Sequence, residues 1–155
     1  MKLRFVWIGK TKRTPVKELI GEYTGRLARF AQVEILELRD RDDVGTVAQR
    51  IIDKEGEDIL ARTASDPFVV ALDERGREMD SFEMAALIEK HCLTGTRQIT
   101  FIIGGHSGLS DAVRKRANLV LSLSRMTLTH EFARALLVEQ VYRAFTIIHD
   151  LPYQK

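Results

Sequence analysis

The sequence predicts an α/β domain: a largely parallel sheet of about five strands with helices on both faces. Three observations predict it. Short β-branched, apolar runs alternate with segments of helical periodicity along the whole chain. The run 68–72 is continuously apolar, as in a strand buried on both faces. The apolar run 99–103 stops at Gly104-Gly105, and Gly108, a short helix opened by Ser110, a second apolar run at 119–123 and a polar loop to His130 follow. Strand, glycine loop, helix, strand, loop is the layout of a ligand site at the carboxyl edge of a parallel sheet.

The elements follow in order. Residues 3–8 read as a strand stopped by Gly9, and 9–13 as a basic loop. Thr14 can cap a helix with Pro15 in its first turn, and Val16, Leu19, Ile20, Tyr23, Leu27 and Phe30 recur at helical spacing. Residues 33–38 alternate apolar and acidic, which suits a strand near an edge. A charged connection, 39–45, leads to a helix from Thr46 that carries Val47, Ile51, Ile52, Ile59 and Leu60 inward. Gly56 in its middle costs about 1 kcal/mol relative to Ala, and close packing is the one reason the sequence offers for it. After the strand at 68–72, Asp73-Glu74-Arg75-Gly76 reads as a turn. Ser81 caps the next helix, which buries Phe82, Ala85, Leu87, Ile88 and Cys92 and ends at Gly95. The last helix, about 131–148, is apolar nearly all round and must be buried on more than one side. In a chain this small, a second copy can supply the other surface, so a homodimer through this helix is expected.

Bulk properties narrow the class. A length of 155 residues fits one domain spanning 1–155, and 45% apolar residues suffice for a core. The net charge of +2 does not by itself announce a nucleic-acid binder. Cys92 is the only cysteine, which excludes a disulfide framework and a Cys-rich zinc site and fits a reducing cytoplasm. No apolar run approaches a membrane span, and no signal-peptide pattern opens the chain.

The glycine loop, G-G-x-x-G, is neither the dinucleotide fingerprint nor a phosphate-cradling loop. The loop 122–130 mixes apolar and hydroxyl residues; it can wrap an aromatic ring while its main chain reads the ring's edge, or its Ser and Thr can simply satisfy backbone groups. His130 is either helix entry and core, or a proton acceptor or RNA contact. The histidines show no metal-ligand spacing and no nucleophile elbow is present, so a metal site is not expected. An enzyme of this composition draws its reactivity from a bound cofactor. Lys10, Lys12, Arg13, Arg75, Arg77, Arg125, Arg134, Arg143 and Lys155 gather near the carboxyl edge and the ends, a basic rim suited to a polyanion such as RNA.

The motifs F-I-I-G-G-H-S-G-L-S, L-S-L-S-R-M-T-L-T-H, L-L-V-E-Q-V-Y-R-A-F and the final P-Y closely resemble the bacterial large-subunit ribosomal RNA (pseudouridine-N3)-methyltransferase family of the SPOUT superfamily. K-L-R-F-V-W-I-G-K and D-K-E-G-E-D-I-L extend the match end to end. The resemblance implies a SPOUT-type α/β fold with a carboxyl-terminal trefoil knot, whereas pattern alone gives an unknotted doubly wound sheet. It implies S-adenosylmethionine as cofactor, held by Leu72, Gly104, Gly105 and the loop Leu123, Ser124, Arg125, Met126, Thr127 and Leu128. It implies a homodimer whose partner subunit contributes to the active site. Thr129 and Glu131 flank the histidine where some relatives carry Pro.

The expected reaction is methyl transfer to N3 of a pseudouridine in large-subunit (23S) RNA, on the assembled ribosome. Candidate roles are His130 as base, Arg134 or Arg143 as anion-stabilising or phosphate-contacting groups, and Tyr153 as a nucleotide-positioning group. Two other readings stand beside it: a ribosome-binding module without activity, and a nucleotide-dependent enzyme such as a dehydrogenase.

Overall fold

The computed structural model describes residues 1–41 and 47–153. Most of the charged connection at 39–45, the helix start at Thr46 and the basic Lys155 therefore lie outside the described residues. The elements are β1 (Lys2–Ile8), α1 (Thr14–Leu27), β2 (Gln32–Leu38), α2 (Ala48–Thr63), β3 (Phe68–Glu78), α3 (Ser81–Leu93), β4 (Gln98–Ile103), α4 (Asp111–Arg116), β5 (Leu119–Ser122) and α5 (His130–Ile148). The five strands form one sheet in the order β2-β1-β4-β3-β5, every pair parallel. As the alternation in its sequence implied, β2 is an edge strand.

Strand periodicity divides the core. Leu3, Phe5, Trp7, Val70, Ile99 and Phe101 face one side and pack with α1, α3 and α5. Val6, Ile8, Val69, Ala71 and Ile102 face the other and pack with Ile59 of α2 and Val113 of α4. Helix α5 lies against both α1 and α3. Its Leu137, Val138, Val141 and Ala144 are fully buried within the chain. Much of the apolar breadth that pointed to a partner is thus met by the chain's own helices, although Phe132 stays 55% exposed.

Several local expectations need correction. Residues 73–76 are not a turn: β3 continues through them, and β5 pairs with Val70, Ala71 and Leu72 and again with Arg77 and Glu78 across a register shift. A Cβ on Gly76 would lie 2.7 Å from main-chain atoms of Val120 and Leu121, so glycine permits this close crossing. Arg13, not Thr14, occupies the N-cap of α1 and makes no side-chain cap. Asp80, not Ser81, caps α3, in a reciprocal capping box with Glu83. Phe82, Cys92 and Val47 are exposed rather than buried.

From β5, at the outer edge, the chain returns across the ends of β3 and β4 to β1, where the first turns of α5 bond to residues 8–13. A carboxyl-terminal knot requires a crossing of this kind.

Gly56 has a packing reason. A Cβ there would sit 2.3 Å from Oγ and 2.9 Å from Cβ of Ser110. Ser110 cannot rotate away freely, because its hydroxyl caps α4 by accepting from the Val113 amide. Overpacking therefore outweighs the gain in helix propensity, and Gly56→Ala is expected to destabilise the protein by about 2 kcal/mol. Thermal or urea unfolding checks this; an alanine variant as stable as the wild type would refute it.

Candidate active site

A cavity of about 730 Å³ opens at the carboxyl edge of the sheet. That size suits a cofactor or other small ligand. Its floor is Leu72 in the middle of β3, Ile103 at the end of β4 and Leu121 near the end of β5. Its walls are the glycine loop, Leu123, Ser124 and residues 126–129 of the following loop, and His130 and Ala133 from the first turn of α5. Gln49 and Ile52 of α2 close one side.

The glycine loop folds tightly on itself. A Cβ on Gly104 would lie 2.6 Å from the Gly108 carbonyl oxygen. The Gly108 amide donates to the Gly105 carbonyl at 3.1 Å, and Gly108 adopts φ +86°. Position 105 is tight for another reason: a Cβ there would meet Oε2 of Glu55 at 3.1 Å and Cγ2 of Ile8 at 3.3 Å. Consecutive residues of α2 thus support the loop, Glu55 beneath Gly105 and Gly56 beneath Ser110. The Arg114 guanidinium ties the loop to β3, donating to the Leu109 carbonyl at 2.7 Å and to the Asp73 carboxylate at 2.8 Å.

The second wall holds its shape through hydroxyls. Ser122 donates to the Ser124 carbonyl at 3.0 Å, and the Ser124 hydroxyl accepts from the Met126 amide at 2.9 Å. Thr129 caps α5 by accepting from the Phe132 amide. Polar side chains are spent locally, leaving Leu123 and Leu128 as apolar cavity surface.

Of the residues singled out from the sequence, Leu72, Gly104, Gly105, Leu123, Ser124, Met126, Thr127, Leu128 and His130 all line this cavity. The Arg125 side chain points outward and pairs with Glu78 at 3.4 Å. His130 is half-buried. Burial first, then the nearby Arg134 cation, pushes its pKa below the ordinary imidazole value, so it is neutral at pH 7.

Arg134 does not fit the phosphate-contacting or anion-stabilising role. It is fully buried, donates to the Ile8 carbonyl and to Thr11 Oγ1, and lies over the Trp7 ring. Arg143 and Tyr153 do not line the cavity of their own chain. Both bond to the Glu139 carboxylate, and the Tyr153 hydroxyl meets that of Tyr23 at 3.0 Å. Burial and these bonds raise the pKa of Tyr153.

Sequence reasoning missed four residues. Asp73 was assigned to a turn; an acid closing an apolar strand was its one signal. Arg114, Glu55 and Glu131 gave no signal, because each acts through a partner distant in sequence. The described residues hold no group of three or more His, Cys, Asp or Glu placed to bind a metal ion.

A parallel α/β sheet with a partly apolar cavity of this size at its carboxyl edge, walled by a glycine loop and a hydroxyl-rich loop, is the layout of an enzyme that positions a bound cofactor. Comparison with known proteins narrows the class. Residues 1–154 match the family described as "Predicted SPOUT methyltransferase". A protein from Trichlorobacter lovleyi named "Ribosomal RNA large subunit methyltransferase H" is 45% identical over 99% of both chains. One of the same name from Streptococcus gordonii is 43% identical over the whole of both. A Legionella pneumophila methyltransferase solved with bound S-adenosylmethionine shares the fold, with a TM-score of 0.55 at 14% identity over 93% of this chain and 66% of that one. The chain belongs to the SPOUT methyltransferase family.

Glu55 offers a test of the loop's support. It is 2% exposed, and burial raises its pKa above the usual 4.5. A carboxyl raised in the folded state lends stability below its unfolded pKa, and that stability is lost as pH rises through the folded pKa. Wild-type melting temperature should therefore fall over that rise, whereas Glu55→Gln, which keeps an acceptor for the Arg41 amide, should not show the fall. Parallel pH–stability curves for the two proteins would refute this.

Proposed function

We propose that this chain methylates N3 of a pseudouridine in large-subunit ribosomal RNA, on the assembled ribosome, as a cytoplasmic homodimer. S-adenosylmethionine is the methyl donor. The observation that carries the reading is the cavity itself, walled by the glycine loop and by the loop that leads to α5, with His130 in its lining. The names of the full-length relatives support the RNA substrate. No helix among the described residues is long and apolar enough to cross a membrane.

The cavity suits an adenosine-bearing cofactor chemically. Leu72, Leu123 and Leu128 offer apolar surface for a ring, and the glycine loop and Thr127 border it where main-chain groups can meet a ring's polar edge. The cofactor supplies a methyl group already activated by a sulfonium, so alignment accounts for much of the rate. This chain's residues orient the two reactants and exclude water. His130, deprotonated at neutral pH, accepts or polarises the N3 proton as the N–C bond forms. Its lowered pKa makes it a weak base, but N3–H becomes strongly acidic as the nitrogen gains the methyl group, so the proton passes to His130 and from there to solvent.

The dimer reading rests on Phe82, Met126 and Phe132, large apolar residues left 60%, 78% and 55% exposed. They belong to the first turn of α3, the loop before α5 and the first turn of α5. A second copy covering this region would give Arg143 and Tyr153, remote from their own cavity, a place to act: the cavity of the partner subunit.

The first experiment is transfer of labelled methyl from S-adenosylmethionine to ribosomes lacking the modification and, separately, to naked large-subunit RNA. Label mapping to one pseudouridine on ribosomes alone is expected. Cofactor binding without label on either would redirect the search to another RNA. Neither binding nor label would favour a binding module without activity.

His130→Gln should lower turnover by about 10²-fold or more while leaving cofactor affinity intact. In the wild type, the acid limb of kcat/KM should lie below the ordinary imidazole value of 6.5 and should be missing from the variant. Unchanged turnover in the variant would remove His130 from the mechanism.

A further inference from the structure

The loop 9–13 combines a fixed backbone with free cations. Gly9 turns the chain at φ +77°, and its amide donates to the Leu38 carbonyl at 2.8 Å. Thr11 Oγ1 accepts from Arg134 at 3.0 Å. The Glu131 carboxylate takes the amide of Lys12 at 2.8 Å and that of Arg13 at 3.1 Å. Glu131 is 8% exposed, so this chelation of two amides is shielded from solvent.

The cationic side chains of the same loop have no such partner among the described residues. Lys10, Lys12 and Arg13 are exposed and form no ion pair among the described residues. Cations elsewhere on the surface are either paired, as Arg26 with Glu22, Arg77 with Glu83 and Arg114 with Asp111, or stand singly, as Lys54 and Lys90 do among the described residues. A structural reason for three unpaired cations in four residues is lacking. Position supplies a functional one: His130 lines the cavity, and the next residue, Glu131, holds the loop.

Resting on the reading above that the substrate is RNA, we propose that loop 9–13 is the phosphate-binding edge of the site, with Glu131 and Arg134 as its positioning residues. The three cations grip the backbone of the RNA strand that carries the target base. Such contacts set register and orientation without reading sequence. The rigid backbone keeps the cations at a fixed offset from His130, so gripping the strand also brings its base toward the cavity.

The test separates positioned charge from charge alone. Binding of assembled ribosomal particles as a function of salt, and binding of S-adenosylmethionine, would be measured for three proteins. These are the wild type, the triple variant Lys10→Gln/Lys12→Gln/Arg13→Gln, and Glu131→Ala. The triple variant should bind particles at least tenfold more weakly, and its log–log salt slope should be shallower by about 2 to 3. Its cofactor affinity should be unchanged.

Glu131→Ala adds positive charge beside the loop, so charge alone predicts tighter particle binding. The proposal predicts weaker binding, because the freed loop loses its register. An unchanged salt slope in the triple variant, or tighter binding by a folded Glu131→Ala, would overturn the proposal. If Glu131→Ala fails to fold, the triple variant alone decides. A wild type that neither binds nor methylates ribosomal RNA sinks the functional reading and this inference with it. A wild type that methylates while the triple variant matches it sinks the loop alone.

Discussion

A fully buried guanidinium fastens the last helix to the first strand. Burying an ion of this size costs several kcal/mol even after relaxation. Burial accordingly pushes the pKa of Arg134 down. The cost is offset by bonds to the Ile8 carbonyl and the Thr11 hydroxyl, by the Trp7 ring 5.2 Å away, and by the nearby carboxylates of Glu131, Glu37 and Asp40. Its Nε alone has no partner. The placement of α5 depends on this contact. His130 lies one turn away at the cavity wall, and Glu131 reaches the loop after β1. Cavity and basic loop are two readouts of one fastening.

The glycine loop shows a second constraint. Its glycines are required largely by the protein itself. Gly104 yields to the carbonyl of Gly108, Gly105 to Glu55 and Ile8, and Gly56 on the opposing helix to Ser110. Shape is set from below, by α2, before any ligand is considered. This is the preorganisation that a positioning mechanism needs, since an alignment error of an ångström costs rate steeply.

How much could be read from the chain alone follows from where each partner sits. Strand and helix periods are local, and so the alternation, the edge character of β2 and the ligand edge at 104–130 were all legible. Capping was legible only in part: Ser110 opens α4 as its position suggests, whereas Thr14 and Ser81 look like caps and the residue one position earlier holds the N-cap position. The extension of β3 through 73–78 was hidden because turn-forming residues are also tolerated in an extended segment paired at an edge. Arg134 misled for a different reason. A basic residue beside a candidate base suggests substrate contact, and only the fold reveals an acceptor 126 positions away. The breadth of apolar surface on α5 likewise could not say whether its cover was a second chain or α1 and α3.

The bonds from α5 to residues 8–13 span 118 to 126 positions in sequence. Contacts of such separation carry a loop-closure entropy that nothing local repays, and they slow folding. During synthesis the strands and helices up to β5 can form while the final helix is still inside the ribosome. The cavity cannot, because one of its walls, with His130, arrives with that helix. The protein therefore has no competent site until translation of α5 is finished, and a nascent chain cannot engage RNA through it prematurely.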